Sequence, residues 1–101
     1  MRVIVFFDLP IVTADEQREY RKFRKYLIKN GFIMMQESVY SKLTPNSTTA
    51  DAISDNLRKN KPNNGLVQVL KVTEKQFNRM EFIVGSAKSD VIDTDERIIV
   101  L

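Results

Sequence analysis

The 101-residue chain contains no histidine and no cysteine, and it has only three glycines and three prolines. The missing histidine and cysteine exclude zinc fingers, iron–sulfur clusters, haem attachment and thiol catalysis. They also exclude a Ser-His-Asp triad and any imidazole base. Catalysis by this chain is confined to carboxylates, hydroxyls, lysine or a bound hard metal. Gly31, Gly65 and Gly85 are too far apart to form a glycine-rich phosphate loop or a dinucleotide fingerprint. The longest unbroken apolar run, Val3 to Phe7, is far short of a membrane span. The N-terminus opens directly on a strand-like run rather than a signal peptide, so the expectation is one domain over residues 1–101, in the cytoplasm, with no membrane partner.

Sixteen Lys and Arg stand against thirteen Asp and Glu, a formal charge of +3. That balance permits a polyanionic partner without requiring one. Apolar residues make up 43 %, enough to build a core without disulfides.

Arg2 to Asp8 is β-branched and aromatic and apolar on both faces, which predicts a central strand covered on both sides. Pro10 ends it. Thr13-Ala-Asp-Glu16 fits a capping box, so a helix is expected from about Thr13 to Asn30, with Gly31 as its left-handed cap. At 100° per residue, Glu16, Tyr20, Phe23 and Leu27 share one face. Arg18, Lys22, Lys25 and Lys29 fall opposite, with Arg21 beside them. Phe32–Gln36 and Ser38–Leu43 read as two short strands, with Gln36-Glu37 as a tight turn or bulge. A second helix is expected over Ser47–Asn60, then a turn at Lys61–Gly65 and a strand over Leu66–Thr73. Thr73-Glu-Lys-Gln76 is a second capping box, opening a single helical turn. Met80, Phe82 and Val84 alternate as in a further short strand. Ser86–Glu96 reads as a loop, and Arg97–Leu101 as a terminal strand.

The order of strand, helix, strand, strand, helix, strand predicts an α+β, ferredoxin-like βαββαβ sandwich with extra short C-terminal strands. Both helices belong on one face of the sheet. The other face is left open, and an apolar face of that kind finds a partner.

Val5-Phe-Phe-Asp-Leu-Pro10, Tyr20-Arg-Lys-Phe-Arg-Lys25, Asn30-Gly-Phe32, Gln36-Glu-Ser-Val-Tyr40 and Val72-Thr-Glu-Lys-Gln-Phe77 occur in that order. In order and spacing together, these runs resemble CRISPR-associated protein two, the small adaptation subunit, in its type II-A branch. The resemblance extends over the whole chain. It implies a homodimer with facing sheets, in which the last strand crosses to the partner's sheet. It also implies a role in spacer acquisition: the dimer bridges two CRISPR integrase dimers, and double-stranded DNA, as prespacer and CRISPR repeat, lies across the assembly. Other type II-A adaptation proteins are further implied partners. Many members are described as metal-dependent endonucleases of RNA or DNA, in which the acid ending the first strand holds Mg²⁺. Here that acid is Asp8, the candidate catalytic and metal-binding residue.

On the residues alone, Asp8 either serves a metal or caps the following segment. Two copies facing across a dimer axis would require a cation or a proton between them. Leu9-Pro-Ile-Val12 stands where many members of the family place a second acid and a basic pair. That departure favours a non-catalytic structural role over turnover. The basic residues of the first helix are either a solvated face or a phosphate track, and their clustering at i+3 and i+4 spacing favours the track. Arg58, Lys59 and Lys61 form a second basic cluster. Tyr40 and Phe6 read as packing residues rather than base-stacking ones, because the third strand lacks the aromatic-rich basic motif of RNA-recognition domains. The terminal strand pairs either within its own sheet or with a neighbouring subunit, and the resemblance favours the second.

Overall fold

β-branched and aromatic residues at alternate positions give the first strand, β1 (Arg2–Asp8), two apolar sets pointing in opposite directions. The computed structural model describes residues 1–86. After β1 come α1 (Ala14–Lys29), β2 (Ile33–Gln36), β3 (Val39–Leu43), α2 (Ser47–Lys59), β4 (Leu66–Val72) and the single-turn α3 (Glu74–Phe77). The strands form one sheet in the order β2-β3-β1-β4, antiparallel at every junction. With two helices packed on one face, this is the expected ferredoxin-like arrangement.

Val3, Val5 and Phe7 point from β1 into the core and meet Phe23 and Leu27 of α1 and Ala50 and Leu57 of α2. The Phe7 ring is central to this packing. It stands edge-on to Phe23 at 5.2 Å, stacks on Tyr40 at 5.7 Å with the ring planes 27° apart, and tilts against Tyr20 at 5.9 Å.

The helices begin and end where local chemistry dictates. Thr13 Oγ1 accepts from the Glu16 backbone N–H, and Glu16 Oε1 accepts from the N–H groups of Val12 and Thr13. Glu16 therefore serves the cap rather than the core. At the other end, Gly31 has φ +87°. Its N–H donates to the Ile28 carbonyl and the Phe32 N–H to the Leu27 carbonyl, which closes a Schellman motif with Phe32 and Leu27 both buried. The β2–β3 connection combines both expected devices, a register shift between Met34 and Gln36 and a turn with Ser38 at φ 66°.

Two expectations are corrected. β1 is central, but α1 and α2 cover only one of its faces. Phe6 on the other face is 36 % exposed, and the sheet pairing sets it between Val39 and Gln68. Met80–Val84 does not form a strand. Phe82, Ile83 and Val84 are exposed, and no sheet edge among the described residues pairs with them. The expected loop at Ser86–Glu96 and the strand at Arg97–Leu101 lie, from residue 87 onward, outside the described residues.

α3 is clamped to the start of β1. The Arg2 guanidinium donates to both carboxylate oxygens of Glu74, at 3.0 and 2.7 Å, and lies 4.1 Å from the Phe77 ring centre. The hydrogen bond and charge of Arg2 hold the Glu74 carboxyl below its ordinary value of 4.5. A carboxyl whose pKa is depressed by folding stabilises fully above its unfolded value and loses that contribution as pH falls through the folded value. Glu74→Gln should therefore lower the melting temperature at pH 7. The gap from the parent should shrink as the solution is acidified below about pH 4.5, and thermal melts at pH 7 and pH 3 check this.

Candidate nucleic-acid interface and acidic site

Antiparallel pairing places directly opposed side chains on the same face of a sheet. Ile4 is thereby aligned with Ser41 and Leu70, Phe6 with Val39 and Gln68, Asp8 with Leu66, and Ile33 with Ser41. Leu43 joins them opposite Arg2. Ile33, Leu43, Leu66 and Leu70 are each at least half exposed. The open face thus exposes several apolar side chains around the polar Gln68, with Asp8 at the end of its central strand.

Asp8 is exposed. Among the described residues no three Asp or Glu side chains group as metal ligands. Asp8 is therefore not part of a three-residue acidic cluster among the described residues. Mg²⁺ is held by one or two carboxylates with its remaining positions filled by water or phosphate. A single carboxylate fits that ion only as part of a site.

The position of Asp8 depends on a glycine that the sequence marks only as part of a turn. Gly65 has φ +95°, and a β-carbon there would lie 2.7 Å from the Asp8 carbonyl oxygen and 2.7 Å from Leu9 Cδ2. The last β1–β4 pair, Asp8 with Leu66, forms immediately beside it. Only glycine fits this crossing without moving backbone.

The basic residues lie on the helical side of the domain. Arg18, Lys22, Lys25 and Lys29 are all exposed along α1. Arg18 is partly neutralised by Asp15 at 2.6 Å. Lys22 lines a small cavity of about 140 Å³ together with Lys59 and Lys61, so the fold brings parts of the two predicted basic clusters together. Arg58 points elsewhere. It pairs with Asp55, and with Lys61 and Lys71 it borders a groove between α2 and β4.

Arg21 departs from the stripe. It enters a groove of about 580 Å³ between α1 and the β2–β3 turn, together with Arg24. Arg24 Nε donates to the Tyr40 hydroxyl at 2.9 Å. Sequence reasoning did not single out Arg24. The i, i+4, i+7 spacing of Gln17, Arg21 and Arg24 was available as a signal, but the hydroxyl that orients Arg24 comes from another strand.

Residues 1–80 match the family model described as CRISPR associated protein Cas2. A Treponema denticola protein named CRISPR-associated endoribonuclease Cas2 is 58 % identical over 101 residues, covering the whole of both chains. A Streptococcus mutans protein of the same name is 46 % identical, covering all of this chain and 93 % of that one. Among solved structures, the crystal structure of Streptococcus pyogenes Cas2 superposes with a TM-score of 0.60 at 22 % identity, over 84 % of this chain and 100 % of the other.

The close approach at Gly65 makes Gly65→Ala a test of how Asp8 is positioned. The substitution should cost about 1–3 kcal/mol, as a side chain in a left-handed backbone conformation set against a neighbouring carbonyl. The amide resonances of Asp8 and Leu9 should shift while those of α2 stay in place, measurable by urea denaturation and ¹⁵N correlation spectra.

Proposed function

The chain belongs to the CRISPR-associated Cas2 family, and from that premise we propose that it works in CRISPR adaptation as a homodimeric scaffold of the type II-A branch. The observation that carries this reading is the division of one domain into two unlike sides. The sheet side exposes Ile33, Leu43, Leu66 and Leu70, and α1 carries the exposed cations Arg18, Lys22, Lys25 and Lys29. Two copies joined through their sheets bury the apolar surface and leave a basic helical layer on each outer side. The α1 helix, about 24 Å long at 1.5 Å per residue, follows roughly seven base pairs of a duplex at ~3.4 Å per pair. Phosphate contacts from Arg18, Lys22, Lys25 and Lys29, with Lys59 and Lys61 beside Lys22, position prespacer or repeat DNA without reading its sequence. Integrase dimers dock on either side of this dimer, which sets the distance between them.

A second reading has a specific observation in its favour. The curated relatives carry the name endoribonuclease, and Asp8 ends the central strand on the face where two copies meet. In this reading Asp8 and its copy hold Mg²⁺, which supplies an activated water for phosphodiester hydrolysis. Asp8 itself contributes negative charge and a hard oxygen ligand. The isolation of this carboxylate among the described residues favours the scaffold.

Three outcomes are expected. Leu70→Asp places a charge on the buried face, and it should weaken dimerisation roughly a hundredfold or more while circular dichroism stays native, as read by sedimentation equilibrium. Duplex affinity should fall steeply with salt and vary little with sequence. Each of Lys22→Gln and Lys25→Gln should make the log–log salt slope shallower by about one. Asp8→Asn should support spacer integration with the integrase at the parental level. Any hydrolysis of RNA or DNA should disappear in that variant and in the presence of a chelator. Integration lost from a folded, dimeric Asp8→Asn protein would transfer the function to the nuclease reading.

A further inference from the structure

The groove that holds Arg21 and Arg24 lies apart from both the apolar sheet face and the outer lysine stripe, and neither reading above uses it. Its volume, about 580 Å³, is within the range of small-molecule sites. One wall is the α1 face carrying Arg21 and Arg24, and the other is the β2–β3 turn. Tyr40 is 1 % exposed and its ring is packed on Phe7, so its hydroxyl is held in place by the core. That hydroxyl accepts the Arg24 Nε–H and fixes the plane of the guanidinium. Among the described residues, the terminal Nη groups of Arg24 and the whole guanidinium of Arg21 have no protein partner. Glu37 borders the groove but makes no ion pair with either arginine.

We propose that this groove binds one unpaired nucleotide of a nucleic-acid strand, its phosphate held by Arg21 and Arg24 and its nucleoside laid over Tyr20 and Met34. Two adjacent guanidinium groups, one of them pre-oriented, match the geometry and charge of a phosphate. The half-buried ring of Tyr20 and the thioether of Met34 give an apolar surface on which a base stacks in a sequence-tolerant way. A carboxylate-rich peptide satisfies the arginines but makes no use of that surface. A base in a duplex is stacked and paired and does not enter a groove, so the ligand is a nucleotide from a single-stranded end or overhang. Lys22 and Lys25 on the same helix lead the adjoining phosphates out along α1. The inference rests on the reading of the chain as a nucleic-acid-contacting protein, and it assigns Arg21 to a different task from the stripe. Tyr40 acts as a positioning residue through Arg24.

The test is a titration of the full-length, isotope-labelled protein with thymidine 5′-monophosphate, inorganic phosphate, thymidine and a pentaglutamate peptide, read at the Arg24 Nε–H and Tyr20 ring resonances. Thymidine monophosphate should shift both signals. Phosphate should shift only the Arg24 signal, more weakly, and thymidine neither. Tyr40→Phe keeps the ring and removes only the hydroxyl, and it should weaken mononucleotide binding about fivefold. Arg24→Gln should abolish it, and both variants should retain the parental salt slope for blunt duplex DNA. The proposal is overturned if the mononucleotide shifts neither signal, if pentaglutamate binds as tightly, or if both variants bind like the parent. A protein that binds the mononucleotide but no duplex supports the groove and removes the scaffold reading. One that binds duplex but no mononucleotide removes the groove alone.

Discussion

β1 is apolar on both of its faces, and the chain provides one helical layer. Everything else in the structure follows from that mismatch. Val3, Val5 and Phe7 take the helices, and the hydrophobic effect is satisfied on that side. On the other face Ile4 is buried, but Phe6, Leu66 and Leu70 are left exposed to solvent. A face of this kind is retained in a small protein when something else covers it. In the proposed homodimer a second copy would supply that cover, and two-fold symmetry would set Asp8 against its own image.

The same strand connects the core to both charged regions. Asp8 ends β1 on the open side, and its backbone is held by the close crossing at Gly65. Phe7, one residue earlier and pointing the other way, packs against Tyr40, whose hydroxyl orients Arg24. A change in the core at Phe7 is therefore felt at the arginine groove through rigid aromatic packing. The lysines of α1 require only that the helix be docked by Phe23 and Leu27, which leaves their own face pointing into solvent.

Much of this was legible in the sequence because it rests on local chemistry. The two capping boxes, the Schellman glycine, the Pro-Asn-Asn-Gly turn and the amphipathic spacing of α1 are all determined within a few residues. The ferredoxin-like order followed from them. What escaped depends on contacts distant in sequence. Apolar alternation on both faces of β1 reads the same whether the second cover is a helix or another molecule. Met80, Phe82 and Val84 alternate like a strand, but alternation specifies a face and supplies no edge to pair with. Arg21 looked like one more member of the basic stripe, and its partner in the groove, Arg24, is recognised only once Tyr40 folds beneath it. Gly65 was visible as a turn residue, while the carbonyl of Asp8 that excludes any β-carbon there was not.

The central claim is that the open sheet face is the buried centre of a working dimer and the helical face its exposed surface. Because the chain has no cysteine, a single introduced thiol reports one position without interference. Gln68→Cys lies on the open face, aligned with Phe6, and Lys25→Cys lies on the outer face of α1. The most direct measurement is the rate at which a charged, water-soluble alkylating reagent modifies each thiol in the native full-length protein and in denaturant. The account predicts that the thiol at 68 is strongly protected in the native protein and becomes reactive on denaturation, while the thiol at 25 reacts rapidly in both. Equal, rapid alkylation of the two thiols in the native protein would contradict it.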